Sequence, residues 1–240
     1  MRSPGSPEEL PTPWELWVRV AAMAALERAI PYDGSSSFSV QARGATHDDG
    51  GGNVWTLRLI EGGRAVLHGC DHEMSGTRLL KPPLDLLAGA PEWLPLAMLD
   101  SLQRGLELGF VYWYDGRWDR VAYPAEVRDD GIASTVGRAV ALDVLVQGAT
   151  DVLLGYRLGE TLDEDADDYD EAEEDLDATI ERALGGALEE MIQQAREREL
   201  SAASFAWLGD RWDLDIDAAL QLAHQAGLTR DGPIPQAPPG

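Results

Sequence analysis

The densest group of reactive side chains is His68-Gly69-Cys70-Asp71-His72-Glu73, which puts two imidazoles, a thiol and two carboxylates into six residues. Imidazole and thiolate are ligands that zinc favours, and alternate residues of a strand share a face. His68 with Cys70, or Cys70 with His72, therefore has the spacing to hold one ion. All three together do not, because the two histidines would stand about 13 Å apart along an extended strand. The same segment could supply a general acid or base from His68, Asp71, His72 or Glu73, with His47 and Asp48 from a glycine-rich loop. Strand register decides between chemistry and core. A two-residue turn at Gly62-Gly63 sets Leu59 opposite Val66, Leu57 opposite His68 and Trp55 opposite Cys70. On that register His68 and Cys70 join an apolar face as a core imidazole and an inert buried thiol. The expectation is no catalytic residue, no cofactor and no metal, with His68, Cys70 and His72 as the candidates should a metal bind.

Carboxylates offer a second chemistry. Residues 160–177 hold twelve acids and no base, half of the net charge of −24. Asp163, Asp165, Asp167 and Glu174 occupy positions 1, 3, 5 and 12 of an EF-hand register. Asp168, however, stands where the sharp turn of that loop requires glycine, and Asp170 adds an acid at position 8. The tract reads as a self-repelling linker. Its functional reading is a docking strip for a basic protein through Asp163, Asp165, Asp167, Asp168, Asp170 and Glu171.

Aromatic residues offer a third. Leu108 to Tyr114 and Arg117 to Tyr123 read as a hairpin around Asp115-Gly116, a dipeptide suited to a tight turn. A two-residue turn pairs Trp113 with Trp118 and Tyr112 with Asp119, so that one face carries Trp113, Trp118, Val111 and Arg120. Core packing is the favoured reading of that face. Left open to solvent, Trp113, Trp118 and Arg120 would have the composition of a binding hot spot.

The elements that must position these groups follow from periodicity. Thr12-Pro13-Trp14-Glu15 is a capping box opening a helix of about four turns. Three strands follow at Phe38–Arg43, Val54–Ile60 and Arg64–Cys70, separated by a glycine-rich loop at Gly44–Gly52 and by Gly62-Gly63. Proline-punctuated helical pieces, including Leu94–Arg104, lead to the aromatic hairpin. A helical pattern then runs through Val136, Val140 and Leu145 to end near Gly148, while Asp151–Leu158 fits strand or helix. Leu176, Ile180, Leu184, Leu188 and Ile192 recur at helical spacing, and a last helix covers Asp215–Ala226 with Gly227 as its C′ residue. Ala218–Arg230 has the pattern of the first helix and turn of a helix-turn-helix, but Pro233 and Pro235 stand where the reading helix would be.

The fold class is α+β: an N-terminal helix, an antiparallel sheet of about five strands including two hairpins, and a helical C-terminal portion. The expected organisation is a disordered N-terminus (1–11), an α+β domain (12–158), an acidic linker or loop (159–177), helices (178–228) and a disordered tail (229–240).

The chain has 240 residues, 43 acids, 19 bases and a single cysteine. Such an acidic protein is repelled by the phosphates of nucleic acid. No run of about 18 apolar residues offers a membrane span, Met1–Pro13 lacks the apolar core of a secretion signal, and one cysteine forms no internal disulfide. The expected location is the cytoplasm. Lys81 is the only lysine and Asn53 the only asparagine, a bias that fits GC-rich coding. The leading functional expectation is a non-enzymatic binding module for a basic protein, with an immunity or inhibitor protein as its sharpest form. The competing classes are an enzyme with a His/carboxylate site around residues 68–73 and an assembly protein using its C-terminal helices.

Overall fold

The computed structural model describes residues 1–30, 37–41, 44–161, 184–211 and 214–235. Its order is the expected α+β one, with a six-stranded antiparallel sheet instead of five strands. The chain divides into two compact units, residues 1–20 with 37–140 and 234–240, and residues 21–36 with 141–233. Among the described residues no helix is long and apolar enough to cross a membrane.

Helix α1 (Pro13–Ala29) opens on the expected capping box. The Thr12 backbone N–H donates to Glu15 Oε2 at 3.0 Å, and the Glu15 N–H donates back to Thr12 Oγ1 at 3.3 Å. Two orphan donors of the first turn are satisfied in this way.

The sheet is a meander of β1 (Phe38–Gln41), β2 (Gly44–Asp48), β3 (Val54–Ile60), β4 (Arg64–Cys70), β5 (Phe110–Asp115) and β6 (Trp118–Asp119), each strand paired with the next. Strand β2 is the addition, formed from the start of the expected glycine-rich loop. Ala45 is its only buried residue, so it carries no alternation of large apolar side chains.

Both hairpins are one residue out of the expected register. Ile60 pairs with Arg64, which leaves Glu61, Gly62 and Gly63 in the turn, with φ of 77° and 81° at the two glycines. Tyr114 pairs with Trp118, and the Asp115 N–H donates to Arg117 O at 3.1 Å around Gly116. A slip of one residue carries every side chain of a strand to the other face. Leu57 therefore faces Leu67, Trp55 faces Gly69, Thr56 faces His68 and Val54 faces Cys70. In the second hairpin Trp113 faces Asp119, and the two tryptophans lie on opposite faces of the sheet.

The first face collects Trp55, Leu57, Leu59, Leu67, Phe110, Tyr112 and Trp118, all buried. The N-terminal residues are tied to the same unit. Pro7–Glu9 form a 3-10 turn, the Gly5 N–H donates to Asp130 Oδ1 at 3.1 Å, and Trp118 Nε1 donates to Pro11 O at 2.7 Å. The second face carries Val66, Val111 and Trp113, covered by Leu86, Leu94, Leu99 and Leu108. Helix α2 (Leu96–Arg104) belongs to that cover, and the short α3 (Val136–Val140) closes the unit.

In the second unit, α4 (Leu142–Thr161) runs through Gly148 and makes residues 151–158 helical. Helix α5 is described over 184–196, and a 3-10 stretch covers Ala202–Arg211. Helix α6 (Ile216–Gln225) begins where Asp215 Oδ1 accepts the Ala218 N–H at 2.9 Å. Leu184, Leu188 and Met191 on α5, and Ala219 and Ala223 on α6, are fully buried within the chain.

Candidate functional site

The register places His68 and Cys70 on the second face of the sheet, where β3 contributes Val54 and Thr56 and β5 contributes Val111. That face changes character across its width. At β4 and β5 it is apolar and covered. At β2 and β3 it carries Thr46, Asp48, Thr56 and Arg58, with a cross-strand contact of 3.0 Å between the Thr46 and Thr56 hydroxyls. A cavity of about 510 Å³ opens at the boundary. Its floor includes Thr56, His68 and Cys70, and its roof is the end of α2 with the residues that follow, Leu102, Gly105, Leu106 and Glu107. Arg78 forms a wall and joins two loops, donating from Nη1 to Leu106 O at 3.0 Å and from Nη2 to His72 O.

His68 is 8% exposed, and its Nε2 is buried with no hydrogen-bond partner. Burial, aided by the charge of Arg58, pushes its pKa down to about 4, so the ring is neutral at physiological pH. Burial also pushes the Cys70 thiol up, and its Sγ lies 3.3 Å from Asp71 O. A neutral thiol is a poor nucleophile and a poor metal ligand. Both residues are buried as expected, but beside Thr56 and Val54, not beside Leu57 and Trp55.

The remaining members of the cluster point elsewhere. Asp71 is 4% exposed and caps a turn: Oδ1 accepts the N–H groups of Glu73 and Met74, each at 2.8 Å, and Oδ2 accepts Ser134 Oγ at 2.5 Å. Burial would raise its pKa, but these hydrogen bonds hold it below the usual carboxylate value. His72 and Glu73 are exposed, with the His72 N–H donating to Asn53 Oδ1 at 2.9 Å. His47 lies on the other face, against Phe38 at 4.6 Å and Trp55 at 6.2 Å between ring centroids, and burial lowers its pKa. Among the described residues no group of three or more His, Cys, Asp or Glu side chains could hold a metal ion. His68, Cys70 and His72 do not converge because the strand ends at Cys70 and the chain turns at Asp71.

The aromatic candidates are core residues. Trp113 is 8% exposed and Trp118 7%. Arg120 stacks over Tyr123 at 3.6 Å from its ring centroid and donates from Nε and Nη2 to Gly5 O at 3.2 and 3.1 Å. Trp118 and Arg120 hold the N-terminal segment, Trp113 packs under the leucines of the second face, and the three form no open platform. Asp163, Asp165, Asp167, Asp168, Asp170 and Glu171 lie outside the described residues.

What sequence reasoning missed is the rim of the cavity. Gly105 caps α2, the Leu106 N–H donates to Gln103 O at 3.1 Å, and the Glu107 N–H donates to Leu102 O at 3.0 Å. This pattern needs a left-handed residue at Leu106, whose φ is 59°. Glycine normally fills that position, and here it stands one residue early. Leu106 is nevertheless 49% exposed, and Met74 and Leu79 nearby in the loops joined by Arg78 are 48% and 64% exposed. The leucine after Gly105 was the available sequence signal.

A cavity in the second unit, of about 540 Å³, is lined by Leu200, Leu220, His224 and Arg230 among others. Its polar groups are partnered within the chain: Arg230 lies 2.5 Å from Glu199, and His224 Nδ1 lies 3.2 Å from Thr229 Oγ1. Compared with protein-family models, with curated proteins and with solved structures, the chain has no significant match.

Proposed function

We propose that the chain is a non-enzymatic binding protein whose acidic surface engages a more basic protein partner, with an immunity or inhibitor protein as the sharpest form of that reading. The observation that carries it is the charge: 43 acids against 19 bases, with twelve acids and no base in residues 160–177. Clustered charge of one sign raises the encounter rate with a partner of the other sign and repels nucleic acid. The reading draws further support from the candidate catalytic cluster, in which Asp71 is committed to a turn and His68 is neutral.

Affinity capture from the source cell at about 0.1 M and about 1 M salt tests it, because the screening length falls from about 10 Å to about 3 Å over that range. The expected result is one basic protein, identified by mass spectrometry, held at low salt, shed at high salt and weakened by deletion of residues 160–177. A captured protein that is acidic, or that is indifferent to both salt and the deletion, would overturn the proposal.

A further inference from the structure

We propose that the mouth of the His68 cavity is the place on the folded body where a partner segment docks, inserting an apolar side chain flanked by lysine or arginine. This inference rests on the reading that the partner is basic. Three observations carry it. The cavity, about 510 Å³, is large enough for a leucine-sized side chain and joins apolar Leu102 and Leu106 to Thr56 and His68. Leu106, which lines it, is an exposed large hydrophobic residue, and so are Met74 and Leu79 in the segment around Arg78, a lining residue that bonds the Leu106 carbonyl.

Leu106 is the telling residue. Among the described residues, three helix ends close with the same pair of hydrogen bonds around a left-handed residue. In α6 that residue is Gly227, at φ 75°, for which the conformation costs nothing. In α5 it is Arg198, at φ 62°, whose guanidinium donates to Gly227 O at 3.0 Å and to Gly232 O at 2.5 Å. In α2 it is Leu106, an apolar side chain held at φ 59° and half exposed. The Arg198 contacts offset its strain within the chain. A partner that covers the side chain would do the same for Leu106.

The charge around the mouth selects the partner. Asp48 shares the sheet face of Val54 and Thr56. Asp49 holds Asn53, which in turn holds the His72 backbone. Glu107 lines the opening, and Asp48, Asp49 and Glu73 are exposed carboxylates in the segments adjoining its lining residues Val54, Gly52 and Cys70. Two cations are near. Arg78 is bound to two carbonyls, and Arg58 lies with Nη1 2.8 Å from Met98 Sδ. An apolar side chain with lysine or arginine beside it meets both the lining and the rim.

The test is nuclear magnetic resonance of the isotope-labelled full chain, titrated at low salt with a short acetylated and amidated peptide of alternating lysine and leucine. The expected result is movement of the Cys70, Leu102, Leu106 and Glu107 signals. Replacing lysine by glutamate in the peptide should abolish that movement. Leu106→Gly should weaken the peptide about fivefold while leaving the melting temperature unchanged or higher, since glycine suits the backbone and removes the contact. Glu73→Lys with Glu107→Lys should weaken it by a similar factor. The inference is overturned if the mouth signals stay fixed, if the glutamate peptide moves them equally, or if Leu106→Gly binds as tightly as the parent. Movement confined to residues 160–177 would also overturn it while leaving the proposed function standing; that function fails separately, in the capture experiment.

Discussion

The two faces of the sheet are built to different specifications. On the first, Tyr112 donates its hydroxyl to Asp130 Oδ2 at 2.8 Å, Asp130 also accepts from Gly5, and aromatic rings occupy the positions between. Asp130 is thus a fully buried carboxylate whose oxygens are partnered, so its burial costs little, although His47 Nδ1 and Trp55 Nε1 on the same face are buried without a hydrogen-bond partner. On the second face the apolar cover stops halfway. Beyond it lie His68 Nε2 without a partner, a raised thiol and a cavity whose roof ends in a strained leucine. Strain and an exposed apolar side chain coincide at Leu106 on this half, which is where a surface shaped by contact rather than by folding belongs.

That contrast can be broken at four points, beginning with the largest effect. Trp113→Ala removes a side chain from the covered half and should cost about 3–5 kcal/mol in urea unfolding. A loss below about 1 kcal/mol would mean that this half is open as well. His68 comes next. Its folded pKa of about 4 lies below the unfolded value of 6.5, so on acidification the unfolded chain takes up the proton first. Stability should fall from about pH 6.5 down to about pH 4, by about 3 kcal/mol. His68→Phe should remove that share of the pH dependence, as read by comparing the two proteins at pH 7 and pH 4.5. Equal acid sensitivity of both would contradict the burial.

Asp71→Ala should cost about 1–2 kcal/mol by freeing the Glu73 and Met74 N–H groups. Hydrogen exchange at those two amides should accelerate, and unchanged exchange would contradict the capping role of the carboxylate. The smallest effect belongs to the helix ends. Leu106→Gly should stabilise by up to about 1 kcal/mol, whereas Arg198→Gly should destabilise because its two carbonyl contacts are lost. The opposite order in thermal melts would remove the distinction drawn between the two residues.

Much of the architecture is legible in the sequence, because helices and strands announce themselves by period and caps. The Thr12 box, the strands at 54–60 and 64–70 and the cap at Gly227 are local features, and local chemistry forms them. Register was not legible. Gly62-Gly63 and Asp115-Gly116 both suit two-residue turns, yet each loop takes one residue more, and that single residue moved His68 away from Leu57 and separated Trp113 from Trp118. Strand β2 escaped notice because its pairing with β3 depends on neighbours more than on its own composition. The cavity was invisible for a related reason: residues 54–70, 78 and 102–107 meet only through the tertiary cover. The burial of His68 was foreseen, but its surroundings were not.

If charge draws this chain to a basic protein, as proposed, added salt must slow their association. With the captured partner purified, the association rate constant should fall at least about tenfold between roughly 0.05 and 0.5 M salt, and less steeply once residues 160–177 are deleted. An association rate that stays constant across that range would exclude charge as what brings the two proteins together.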